Sequence, residues 1–263
     1  MRPAILLLLA GVAHAEPPKL TSFDTPAAAL ESLLGKKPRV IAFGEFHEIK
    51  GAAKVPSSVF RFREQLLASL RASSSDLIVE TWVTDGKCGK TEETAVAKVE
   101  ESTKRPESTE DEIVTLMKAA KAGGVQPHVL TVTCKQYEDI GGNGGEIDYV
   151  KLLDTVTTVL RSKIHEVLKL RSGASKTILV YGGAIHNDVY PKKELAEFSF
   201  AKDIEKATRQ HYLEVDLYVP EYIENDKDLT AEAWYKPYRA LPADKATLVR
   251  RGPNSFILVF PRS

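Results

Sequence analysis

Three short apolar runs in this chain each end in residues able to move protons or bind cations. They are RVIAFGEFH at residues 39–47, DLIVE at 76–80 and TILVYGGAIH at 177–186. In the first, Glu45 and His47 are two apart, so on an extended backbone they point to the same side. A carboxylate beside an imidazole either orients the ring as a base or joins it in binding a metal. Gly44 has no side chain to obstruct the approach. Glu80 follows Leu77, Ile78 and Val79, so its carboxylate is expected to be partly desolvated unless a metal, His47 or an arginine meets it. Trp82 lies two residues further on the same side. His186 follows the pair Gly182-Gly183, where a ligand or another backbone can come close, and Asn187 and Asp188 are natural caps for the next turn.

These runs are short enough to be buried strands. In parallel sheets ligands bind beyond the carboxyl ends, so the three ends are expected to share one site. Helical patterns separate them. One is predicted over residues 24–34, and a second starts from Ser57 or Ser58, burying Val59, Phe62, Leu66, Leu67 and Leu70 before serines 73–75. A third, over residues 110–122, stops at Gly123-Gly124, and a long amphipathic helix covers 147–170. A further strand is expected at 129–133. Downstream, residues 203–210 read as a helix, 212–219 as a strand and 246–260 as a hairpin around RGPN. The predicted fold is therefore α/β: a mainly parallel central sheet flanked by helices, with an antiparallel C-terminal extension. His128 and His211 precede strands and fall at the opposite end of such a sheet, while His165 lies inside the long helix, so none of the three is given a role.

A chain of 263 residues with 36 basic and 36 acidic side chains can bury a full core, and its balanced charge gives no reason to expect nucleic acid as a partner. Residues 1–15 read as a cleavable signal peptide, with Arg2, an apolar stretch at 4–12 and Ala13-His14-Ala15 as the cleavage site. That stretch is too short to span a membrane, so the expected location is periplasmic or secreted. In such a compartment a disulfide between Cys88 and Cys134 is one open alternative, since both lie in loops at one end of the sheet if their strands are neighbours. Half of residues 87–112 are charged, which makes this segment a solvated insertion at the rim of the site, either a lid or a surface loop.

Taken together, Gly44-Glu45-Phe46-His47, Glu80 and Gly183-Ala184-Ile185-His186 resemble the GExH, Glu and GxxH motifs of the erythromycin-esterase/ChaN/TraB–TIKI superfamily over residues 39–188. The resemblance implies an α/β core with the motifs at one end and three alternative chemistries: metal-dependent proteolysis, histidine-driven hydrolysis, or haem binding. The chain departs from the pattern at Glu48, where a glycine often follows the first motif. The leading expectation is an exported hydrolase acting on an ester or amide of a small molecule or peptide, with His47, Glu80, His186 and Glu45 around zinc or manganese. Arg61 or Arg63 is the candidate oxyanion stabiliser. A metal-independent alternative uses His47 as base with Glu45 or Glu80 holding its tautomer. A binding protein would use His47, His186, Tyr137 or Tyr190 as the axial ligand of haem. No GxSxG or complete HExxH segment occurs, and the glycine run at 141–145 lacks phosphate-loop spacing.

Overall fold

The computed structural model describes residues 18–47, 54–86, 88–89, 96, 99, 106, 108–141 and 147–263. The signal peptide reading, Glu48, most of the charged insertion and most of the glycine run fall outside these residues.

Strand β2 (Val40–Glu45) is the pivot of an eight-stranded sheet, and all six of its residues are buried. Burial on both faces explains why its sequence is a continuous apolar run rather than an alternating one. On one side it pairs in parallel with β5 (Thr177–Gly183), followed by β3 (Ser74–Thr84) and β4 (Gln126–Val132), also parallel. On the other side come the parallel strands β6 (Tyr212–Tyr218) and β8 (Ser255–Val259). Antiparallel β7 (Ala246–Arg250) and β1 (Lys19–Phe23) complete the sheet. The mainly parallel sheet and antiparallel C-terminal hairpin match the prediction. Short, largely polar β1 carried no strand signal. The outermost strand, β4, contains Pro127, which an edge tolerates because a central ladder would lose a hydrogen bond there.

Helices cover both faces. Helix α1 (Pro26–Leu34) starts at Thr25, whose hydroxyl accepts from the Ala28 amide. Ser57 caps α2 (Ser58–Arg61), which passes through a π-helical turn (Phe62–Leu66) into α3 (Leu67–Leu70). With α4 (Ser108–Ala122), these pack Leu30, Phe62, Leu66, Leu70 and Leu116 against Phe43, Val79, Tyr181 and Val215. Beyond β4, α5 (Cys134–Gly141) follows. The opposite face is covered by α6 (Tyr149–Leu170), capped by Asp148, and by α8 (Ala201–Ala207), which bury Leu160, Ile164, Val167 and Ile204 on Ala42, Ile78 and Val180. Between β5 and α8 lie the single turn α7 (Ala184–Asn187) and a 3-10 turn (Lys193–Phe198). Three further short helices, α9 (Pro220–Ile223), α10 (Lys227–Ala231) and α11 (Tyr235–Tyr238), bring Ile223, Trp234 and Tyr238 onto Tyr218 and Ile257. No helix among the described residues is long and apolar enough to cross a membrane.

Cys88 and Cys134 form a disulfide with a Cα separation of 5.2 Å. It joins the chain beyond β3 to the start of α5 and closes a loop of 46 residues. A bridge that closes a loop of this length contributes about 2–4 kcal/mol.

Candidate active site

The chain leaves β2 toward β3 on one side, whereas it leaves β5 toward β6 on the other side of β2. Adjacent strands with diverging exits open a crevice at their carboxyl ends, the place where doubly wound sheets bind ligands. Glu45 ends β2 and pairs with Gly183, which ends β5.

Glu45 is buried at 5% exposure, and its two oxygens have different partners. His47 Nδ1 lies 2.8 Å from Oε1, and the Tyr181 hydroxyl donates to Oε2 at 2.5 Å. Tyr181 is itself fixed from below, because Phe62 of the π-helical turn stacks at 5.0 Å on Tyr181 and 4.8 Å on Phe43. The carboxylate therefore holds the proton of His47 on Nδ1 and leaves Nε2 as the basic nitrogen. His47 is 37% exposed, so its ring reaches solvent while its support is buried.

Glu80 does not end its strand as predicted. β3 runs on to Thr84, and its pairing with β4 shifts register between Ile78 and Trp82. This irregularity re-aims the side chain, as bulges do near functional sites. Glu80 folds over Gly182, where an added Cβ would stand 2.5 Å from Oε2, and that oxygen accepts the Gly183 amide at 2.6 Å. A Cβ on Gly183 would stand 2.9 Å from His47 Nε2 and 3.6 Å from Glu80 Oε2. Two consecutive glycines thus let a carboxylate from one face of the sheet approach an imidazole from the other.

His186 sits in α7 at 5% exposure. Its Nδ1 is 2.8 Å from the Thr157 hydroxyl and 3.2 Å from the Phe198 carbonyl. A carbonyl only accepts, so the proton resides on Nδ1 and Nε2 carries the lone pair. Burial lowers the pKa of His186, opposed by the charge of Glu80 and by the Phe198 carbonyl, and reinforced by His47. The ring is neutral at pH 7.

Glu45, His47 and Glu80 therefore meet around Gly182 and Gly183 at one end of the sheet, and His186 lies in the turn that follows them. Among the described residues no group of three or more His, Cys, Asp or Glu side chains is arranged to hold a metal ion. Glu45 Oε1 and Oε2 are engaged by His47 and the Tyr181 hydroxyl, and Glu80 Oε2 by the Gly183 amide.

Other expectations are corrected. Arg61 is a structural residue: its guanidinium donates to Pro56 O at 2.9 Å, Pro261 O at 2.8 Å and Ser263 Oγ at 2.6 Å. Arg63 pairs with the adjacent Glu64 and covers the Phe60 ring, away from the crevice. Of the tyrosines named as haem ligands, Tyr137 is buried against Val132. Tyr190 lines a cavity of about 630 Å³ with Gln210 and Asn254, which precede β6 and β8 and so lie toward the amino ends of the strands. Trp82 packs between two core clusters. Sequence reasoning missed Tyr181 and Thr157. Tyr181 had a usable signal, since it falls two residues before Gly183 in β5 and so shares the face of Glu45.

No family model and no curated protein sequence matches this chain. Among solved structures it is similar to the type III effector HopBA1, at 10% identity and a TM-score of 0.47 over 93% of this chain and 98% of that one. It is also similar to a succinoglycan biosynthesis protein, at 8% identity and a TM-score of 0.38 over 77% of this chain and 73% of that one.

Proposed function

We propose that this protein is an exported hydrolase in which His47 acts as general base on water for attack at an ester or amide carbonyl. The observation that carries the reading is the Glu45–His47 pair, held at 2.8 Å by a buried carboxylate that Tyr181 fixes at the crevice between β2 and β5. His47 Nε2 takes a proton from water while Glu45 stabilises the imidazolium that results, a contribution of about 10²–10⁴-fold. His186 Nε2, an acceptor in a neutral ring, accepts a hydrogen bond from the hydrogen that stays on that oxygen, and Glu80 Oε2 holds the Gly183 backbone beneath His47. Protonated His47 then returns its proton to the leaving oxygen or nitrogen. Export is supported by the Cys88–Cys134 bridge, which suits an oxidising compartment.

The test is hydrolysis of a panel of aryl esters and peptide anilides by the purified protein, with and without a chelator. Turnover that survives the chelator and disappears in His47→Ala supports the reading. Turnover lost to the chelator and restored by zinc or manganese returns the metal-dependent alternative, and a haem complex with no turnover on any substrate returns the binding protein.

A further inference from the structure

The sequence of β6, YLEVDLY, alternates acid with apolar residues and would ordinarily place Glu214 and Asp216 in water. Here all seven residues are buried, Glu214 at 0% and Asp216 at 2% exposure. The two carboxyl groups lie close enough that the charge of Asp216 raises the pKa of Glu214. Arg251, from the turn between β7 and β8, donates through Nη1 to Glu214 Oε1 at 2.9 Å and Asp216 Oδ2 at 3.2 Å, and through Nη2 to Asp188 Oδ1 at 2.9 Å. One guanidinium thus serves three acids. Removing one partner from a buried network of this kind leaves the others uncompensated.

This cluster grips the three residues that follow His186. The Asn187 amide donates to Asp216 Oδ1 at 3.2 Å and to the Ala42 carbonyl of β2 at 3.3 Å. Asp188 lies on Arg251, and the Val189 amide donates to Glu214 Oε2 at 2.8 Å. The Tyr212 hydroxyl donates to the Asn187 carbonyl at 2.8 Å. Gly44 makes the contact feasible, since a Cβ there would stand 2.5 Å from both Asn187 Oδ1 and Asp216 Oδ1.

We propose that Glu214, Asp216 and Arg251 are positioning residues for His186, clamping the backbone after it so that its Nδ1 stays on Thr157 and Phe198 and its Nε2 faces the crevice. The proposal rests on His186 belonging to the hydrolytic site described above. A single helical turn of four residues is too short to hold a ring by its own hydrogen bonds, and the clamp supplies that rigidity from β6 and the β7–β8 turn. Burial raises the pKa of both carboxyls, and Arg251 offsets this in part, so the pair keeps a proton at neutral pH. The other groups facing the cluster are Asp188, Tyr212, Tyr218 and, from α8, Glu205.

The experiment is imidazole nitrogen NMR on histidine-labelled protein, read beside kcat and KM. In the natural protein His186 is expected as a single Nδ1–H tautomer that resists protonation in mild acid. In Arg251→Ala and Glu214→Ala the ring is expected to mix tautomers and titrate closer to an ordinary histidine, with kcat lower by about 10–100-fold and KM within about twofold. Glu214→Gln, which still accepts from the Val189 amide, should restore the single tautomer. If either alanine variant fails to fold, Asn187→Ala removes the side-chain bonds to Asp216 and Ala42 while leaving both acids and Arg251 in place, and is expected to give the same mixed tautomers. An unchanged His186 spectrum in folded Arg251→Ala, Glu214→Ala or Asn187→Ala overturns the proposal. A shifted spectrum in a protein that hydrolyses nothing keeps the clamp and removes the hydrolase reading.

Discussion

Two acid–histidine pairs stand at opposite ends of this sheet with the same 2.8 Å separation: Glu45 with His47 at the carboxyl end, and Asp76 with His128 at the amino end. Both carboxylates are almost fully buried. They differ in what else holds them. Arg171 donates twice to Asp76, at 2.9 and 3.1 Å, so its charge is neutralised within the scaffold. Burial works against ionisation of Asp76, but hydrogen bonds from Arg171, Ser75 and His128 outweigh it, and its pKa is lowered. Glu45 accepts from the Tyr181 hydroxyl, and its histidine, 37% exposed, lies over Gly183. Contact between an acid and an imidazole is thus not a sign of catalysis. Place in the topology and surroundings decide between a base and a clasp.

The comparison breaks most easily on paired substitutions. His47→Ala is expected to lower kcat by about 10²–10⁴-fold with little change in thermal stability. His128→Ala should leave kcat intact and cost about 1–3 kcal/mol in a denaturant titration, because it deprives buried Asp76 of a partner. Equal losses of activity in the two variants would erase the distinction. Gly183→Ala sharpens it further. The backbone there, at φ −69° and ψ 141°, accepts any L residue, so the fold is expected to persist. The new methyl would press on His47 Nε2, and about a tenfold to hundredfold fall in kcat should follow in a steady-state assay.

Smaller effects follow from the supports. Tyr181→Phe removes one hydrogen bond to Glu45, worth about 1 kcal/mol, and should slow turnover by about tenfold or less while preserving the stack on Phe62. The Glu214–Asp216 pair gives a pH signature. Burial pushes Glu214 up to about 9 and Asp216 up to about 7, whereas in the unfolded chain both ionise in the ordinary carboxylate range. The folded state therefore holds more protons than the unfolded one between roughly pH 4 and 9, so stability falls as pH rises across that window and the loss is complete above about 9. His186 acts in the opposite sense: its lowered pKa makes the fold lose stability as pH drops below about 6.5. Melting curves should show Tm lower at pH 9.5 than at pH 6 by at least about 2–4 °C, the shift that 1 kcal/mol produces in a chain of this size. Glu214→Gln should flatten that alkaline limb.

Much of this arrangement was legible in the chain. Buried parallel strands announce themselves as apolar runs, so β2 and β5 and the residues at their ends were found directly. Glu80 was found, although its strand continues for four more residues, because a register shift leaves no mark in composition. β6 was found as a strand, but its sequence does not show that it is buried throughout. Its alternation of acids with apolar residues mimics a half-solvated strand, and only Arg251, far along the chain, turns those acids inward. Tyr181 and Thr157 were missed because a hydroxyl carries no signal until the strand or helix beside it is known.

Pro127 on β4 has a consequence beyond the site. An outer strand offers its unpaired amides and carbonyls as a template on which a neighbouring molecule can add its own strand, the first step toward aggregation. A proline interrupts that template, since at that position it presents no N–H for an incoming strand to engage. A molecule crowded among its own copies is thereby guarded along one flank against growing into a shared ribbon.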